Sequence, residues 1–133
     1  MARTLREQSP AMDIYWDDEL SMAWCVLTAP HHGAAEAQQN VEAIGRLRDS
    51  LGKKKVRVII DIRSVETITR SARTLYGGPY TFSIQRATVL LTDSTISRVV
   101  ANFFMGINKP MSPTRMFTEV EGAVAWLDEF PDE

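Results

Sequence analysis

Apolar and polar positions divide this chain into strands and helices. Residues 56–62 and 86–92 are almost continuously apolar, the pattern of central strands covered on both faces. Between residues 34 and 51, apolar side chains recur at Ala37, Val41, Ile44, Leu47 and Leu51. That spacing predicts one amphipathic helix. Gly52 is a natural stop for it, and the lysines at 53–55 suit the negative end of its dipole. Residues 13–18 and 21–29 are aromatic and β-branched and predict a hairpin, with Pro30 and Gly33 marking its exit. Residues 70–84 predict a helix interrupted at Gly77, Gly78 and Pro79. Asp93, Ser94 and Thr95 form an N-cap cluster. Ile96, Val100, Phe103 or Phe104, and Ile107 then mark the apolar stripe of a helix reaching about Met105. Pro110 and Pro113 place 108–113 in a loop. Residues 115–118 predict a short last strand. Thr118 followed by Glu121 predicts a capping box, and Val120, Ala123, Val124 and Leu127 give the final helix its apolar face.

The resulting order, ββαβαβαβα, implies an α/β fold. Its sheet is mixed and mostly parallel, with right-handed crossovers, an N-terminal antiparallel hairpin and about four helices. Trp16 and Trp24 lie on that hairpin, whose edge is a candidate for pairing in a homodimer. At 133 residues, 44% hydrophobic and 24% charged, the chain fits a single domain with a core over about 12–130. No apolar stretch approaches the ~20 residues needed to span a bilayer. The polar start lacks the apolar run of a signal peptide. The expectation is a cytoplasmic domain that neither enters nor binds a membrane. The one cysteine, Cys25, sits in an apolar run, which predicts a buried thiol and no disulfide within the chain.

The net charge of -2 gives no general pull toward nucleic acid. Its distribution changes the picture. Residues 53–115 carry 11 basic and 3 acidic side chains, whereas residues 116–133 carry 6 acidic and none basic. Two readings follow: internal compensation, with the acidic last helix near basic segments, or a basic face for an acidic partner or small anion.

The aspartate-ended strand Ile60-Asp61-Ile62-Arg63-Ser64-Val65 resembles the central strand of the STAS family. Together with the element order, it makes the chain similar to the SpoIIAA-like group, the anti-sigma factor antagonist fold, over roughly residues 12–130. The stretch from Ser97 to Phe104, followed by Asn108, Lys109 and Pro110, resembles a small set of uncharacterised STAS-like bacterial proteins. The resemblance implies a regulatory module that meets a protein partner with the helix after the central strand. In the antagonists that helix opens on an Asp-Ser-Ser-Gly-like turn whose first serine is phosphorylated. Here the segment reads Thr69-Arg70-Ser71-Ala72. The acceptor position is Arg70, and Ser71, one residue later, is the remaining candidate for phosphorylation.

Ligands of open α/β sheets gather at the carboxyl ends of the strands. Two loops there carry suitable residues: Arg63, Ser64, Thr69, Arg70, Ser71 and Arg73 after the first buried strand, and Ser94, Thr95 and Arg98 after the second. Arginines in first helical turns oppose the helix dipole, and free amides beside arginine suit an anion. The competing reading pairs these arginines with Asp61, Glu66 and Asp93. Thr95, Arg98 and Asn102 share one polar stripe, either solvated or used for docking. Tyr76, Tyr80 and Phe82 flank the Gly77–Gly78 break and either cap the core or form a lid over a small apolar pocket. His31 and His32 are adjacent in a predicted loop and do not make a metal site. No nucleophile or phosphate-loop motif is present, so neither an enzyme nor a cofactor is expected. The leading expectation is a non-enzymatic regulatory interaction module. The alternatives are a sensor of an anionic or lipid-like small molecule and a self-associating domain.

Overall fold

In a computed structural model of the chain, residues 3–107 and 110–131 are described, the side chains of 103–107 excepted. Expectations for the side chains of Phe103 or Phe104 and of Ile107, and for Asn108 and Lys109, lie outside the described residues. Eight strands and five helices follow in chain order: β1 (Arg3–Ser9), β2 (Met12–Asp17), β3 (Met22–Leu27), β4 (His31–His32), α1 (Ala34–Leu51), β5 (Val56–Asp61), β6 (Thr67–Ile68), α2 (Arg70–Tyr76), α3 (Pro79–Ile84), β7 (Gln85–Leu91), α4 (Thr95–Ile107), β8 (Thr114–Phe117) and α5 (Val120–Leu127).

The main sheet runs β1-β2-β3-β5-β7-β8. β1, β2 and β3 form an antiparallel meander, and β3, β5, β7 and β8 are parallel. This is the mixed, mostly parallel sheet of a SpoIIAA-like fold, with the interrupted helix resolved into α2 and α3. The alternating strand faces feed two cores. One packs Met12, Ile14, Cys25, Val58 and Leu90 against Ile44 and Leu47 of α1, with Ile84 of α3 and Ala101 of α4. The other packs Trp24, Ile59, Val89 and Leu91 against Ala123 and Leu127 of α5. Cys25 is buried as expected, and burial pushes its thiol pKa up.

Four features differ from the sequence expectations. β1 was not foreseen, because its seven residues are polar except Leu5 and lie at the sheet edge. Its presence removes the predicted hairpin edge: β2 is paired on both sides, and Trp16 and Trp24 are buried. β4 turns the expected histidine loop into a two-residue strand paired with β6. The Thr118–Glu121 capping box does not form; Glu119 is the N-cap of α5 and makes no side-chain cap bond. Finally, α4 is rotated from its expected orientation. Ser97 and Ala101 are buried and Val100 is half-buried, while Ile96 and Val99 face outward.

Candidate functional site

The carboxyl ends of β5 and β7 lie side by side, since Asp61 pairs with Leu91 in register. Two residues beyond each are Arg63 and Asp93. Asp61 accepts from the Arg63 backbone N–H at 3.0 Å, from Nε at 2.9 Å and from Nη2 at 2.7 Å. This bidentate pair, with Asp93 adding its charge, raises the Arg63 pKa and holds the guanidinium over its own loop. Ser64 beside it is exposed.

α2 and α4 begin in different ways. Thr69 is the N-cap of α2 and its hydroxyl accepts from the Ala72 N–H at 3.2 Å. Ser94 and Ser97 cap α4 reciprocally. The Ser94 hydroxyl accepts from the Ser97 N–H at 3.1 Å, and the Ser97 hydroxyl accepts from the Asp93 and Ser94 N–H groups, both at 3.2 Å. Thr69 and Ser94 therefore fasten helix ends. Arg73, expected at the surface, is only 9% exposed; its Nη1 donates to the Ile68 carbonyl at 2.8 Å, so it ties α2 to β6. Arg70 and Ser71 are exposed on the first turn of α2. Thr95, Arg98 and Asn102 are exposed along α4, as the polar stripe predicted.

The segment from Tyr76 to Phe82 joins α2 to α3. Gly77 and Gly78 form a hydrogen-bonded junction: Gly77 N–H donates to the Arg73 carbonyl at 3.0 Å and Gly78 N–H to that of Leu75 at 3.2 Å. Tyr80 and Phe82 are not among the described residues that line the apolar pocket below. The Tyr80 hydroxyl rests against Gly45, and the Lys55 ammonium lies 3.8 Å from the Phe82 ring centroid. Tyr76 is drawn inward by a chain of hydrogen bonds. Asn40 Nδ2 donates to its hydroxyl at 2.8 Å, which lies 3.1 Å from His32 Nδ1. His32 Nε2 is 2.9 Å from the Ala29 carbonyl. A carbonyl only accepts, so Nε2 carries the proton and Nδ1 receives the tyrosine's. Burial lowers the His32 pKa and raises that of Tyr76.

An apolar pocket does exist, in another place. It lies between the sheet and α1 and α4, has a cavity volume of about 50 Å³, and takes Leu27, Ile62, Leu90, Val100 and Ala101 among its walls. Tyr76 borders it, but among the described lining residues there is no arginine. Sequence reasoning missed Gln85 and Thr88, which line its other end, because two polar residues at the start of an apolar strand carry no motif. Among the described residues no cluster of His, Cys, Asp and Glu can hold a metal, and no helix is long and apolar enough to cross a membrane.

No curated protein matches the chain. Among solved structures, a protein with unknown function from Arthrobacter sp. FB24 is 25% identical, covering 86% of this chain and 97% of that one, with a TM-score of 0.31. An uncharacterized protein of the DUF3478 family from Shewanella loihica PV-4, described as having a SpoIIAA-like fold, is 11% identical with a TM-score of 0.55, covering 96% of each chain. That second likeness is one of fold, and it agrees with the strand order and helix placement above. The family model of a domain of unknown function, DUF7793, matches residues 32–131, from β4 to just beyond α5, and the chain belongs to that family.

Proposed function

We propose that this domain is a non-enzymatic regulatory module that binds an acidic protein surface with the outer face of α4. The observation that carries the reading is that face itself. Ile96 and Val99 are 57% and 60% exposed, and Thr95, Arg98 and Asn102 surround them on the same helix. An apolar centre with a polar, cationic rim is how protein interfaces are built. The charge argues for an acidic partner: Arg98 has no carboxylate within ion-pair distance among the described residues, and its Nε reaches only the Ser94 carbonyl at 3.5 Å. Arg70 at the start of α2 is a second exposed cation. Arg63, paired with Asp61, and Arg73, bonded to Ile68, are left out of this proposed contact face.

A photo-crosslinking residue at Ile96 in the full-length chain tests this. The captured protein is identified, purified and titrated against wild type, Arg98→Glu and Val99→Ser. A partner with an acidic contact surface is expected, with binding at least tenfold weaker in both variants, unchanged thermal stability, and affinity that falls as salt rises. A partner that binds all three chains equally overturns the assignment.

A further inference from the structure

We infer that the pocket beneath α4 is a binding site for a small uncharged ligand, mostly apolar, that carries one hydrogen-bond acceptor such as an ester or ketone oxygen. This does not depend on what meets the outer face of the helix.

Its cavity volume is about 50 Å³ and its walls are mostly apolar. Its polar groups are gathered at one end. Thr88 and Thr114 are partners in the β7–β8 register, Ser112 lies two residues before Thr114, and Gln85 three before Thr88. Leu27, Ile62 and Ile68 supply apolar wall elsewhere in the pocket. Gln85 is 4% exposed and its Oε1 accepts from the Thr88 hydroxyl at 2.7 Å. Its Nε2 makes no hydrogen bond among the described residues. That N–H₂ belongs to a residue lining the pocket, where a ligand's acceptor can reach it. The same lining rejects charge. No lysine, arginine or histidine lies among the described lining residues, so a carboxylate or phosphate would be desolvated without compensation. For this pocket a neutral ligand is favoured over an anionic one.

The test uses the full chain and Nile red, an uncharged dye that brightens in apolar surroundings. Saturable one-to-one brightening is expected. Methyl decanoate should displace the dye at concentrations at least tenfold below those needed with decanoate at pH 8. Ala101→Leu fills the pocket and should abolish dye binding. Gln85→Leu removes the donor and should weaken displacement by methyl decanoate about fivefold while leaving that by decane unchanged. Melting curves establish that each variant is folded. If neither variant folds, the order of the wild-type competitors decides. No saturable dye binding, or decanoate as effective as its ester, overturns the inference. So does brightening that survives Ala101→Leu but is lost in Ile96→Ser, since that places the dye on the outer face.

Discussion

Arg57 shows at the residue scale why composition alone misleads. It reads as one more cation in a basic segment, yet it is 8% exposed. Its Nη2 donates to the Leu20 carbonyl at 2.8 Å and its Nη1 to that of Leu127 at 3.3 Å, so one guanidinium joins the β2–β3 turn to the end of α5. Replacing it with alanine leaves buried carbonyls without donors, and a loss of about 2–3 kcal/mol is expected from urea unfolding. Arg57→Lys should recover little, because one ammonium lacks the fork that spans both sites. His32 makes the complementary case. Its Nδ1 receives the Tyr76 proton, and its pKa is lowered from 6.5 by burial. Below pH 6.5 the unfolded chain therefore takes up a proton that the folded chain resists. Stability from this group is complete above that pH and declines as pH falls toward the folded value. Unfolding midpoints between pH 7.5 and 5 should fall in wild type and flatten in His32→Gln, which is less stable throughout. Neither residue's role was legible in the sequence. Tyr76 lies 44 residues from His32 and 36 from Asn40, and only the fold brings their polar atoms together.

Legibility at the scale of elements followed burial. α1, β5 and β7 were readable because each buries a wide apolar face, which imposes a period on the sequence. β1 is an edge strand with no such demand; its register shifts between Leu5 and Glu7, with the charged Arg6 between them, features that suit an open edge. The outward rotation of α4 was hidden because its apolar residues exceed what one face can bury, so periodicity alone could not say which stayed outside. The break between α2 and α3 was legible in position but not in kind. Gly78 has an ordinary φ of -89°, so its conformation does not require glycine. The close approach does: a Cβ there would lie 2.8 Å from the Thr74 carbonyl oxygen, a backbone atom with no room to yield. Gly78→Ala should cost about 1–3 kcal/mol through overpacking. Gly52 differs, with φ 67° and open space around it, so Gly52→Ala should cost about 1 kcal/mol through left-handed backbone strain alone. Thermal unfolding of each variant, alone and combined with Thr74→Gly, tests which atoms make the Gly78 contact. Because the obstructing atom is backbone, that change should rescue neither variant; rescue of Gly78→Ala would mean the contact was made by a side chain.

Across the whole molecule the two sheet faces are unequal. One carries α1 to α4 and the pocket, and the other is covered by α5. The acidic C-terminal segment meets part of the basic middle on that second face: Arg57 lies 3.5 Å from Asp128, Arg86 stacks near Phe130 at 5.3 Å and Arg115 near Phe117 at 5.0 Å. Internal compensation thus accounts for some of the charge asymmetry and leaves Arg70 and Arg98 outside it. Charge is nevertheless not what holds α5 in place. Asp128 is 62% exposed in its side chain, and an ion pair with one partner in water contributes at most about 0.5 kcal/mol after screening. Leu127 beside it is fully buried against the sheet. Leu127→Ala should therefore cost about 2–5 kcal/mol, while Asp128→Ala should change the urea midpoint only slightly and be insensitive to salt. Equal losses from the two would mean that electrostatics anchors the helix. The arginines of this face would then be structural for their charge rather than for their hydrogen bonds and stacking. The expected inequality instead makes the acidic segment a solvated cover over an apolar contact, with the cations free to act on the opposite side of the sheet, around α2 and α4.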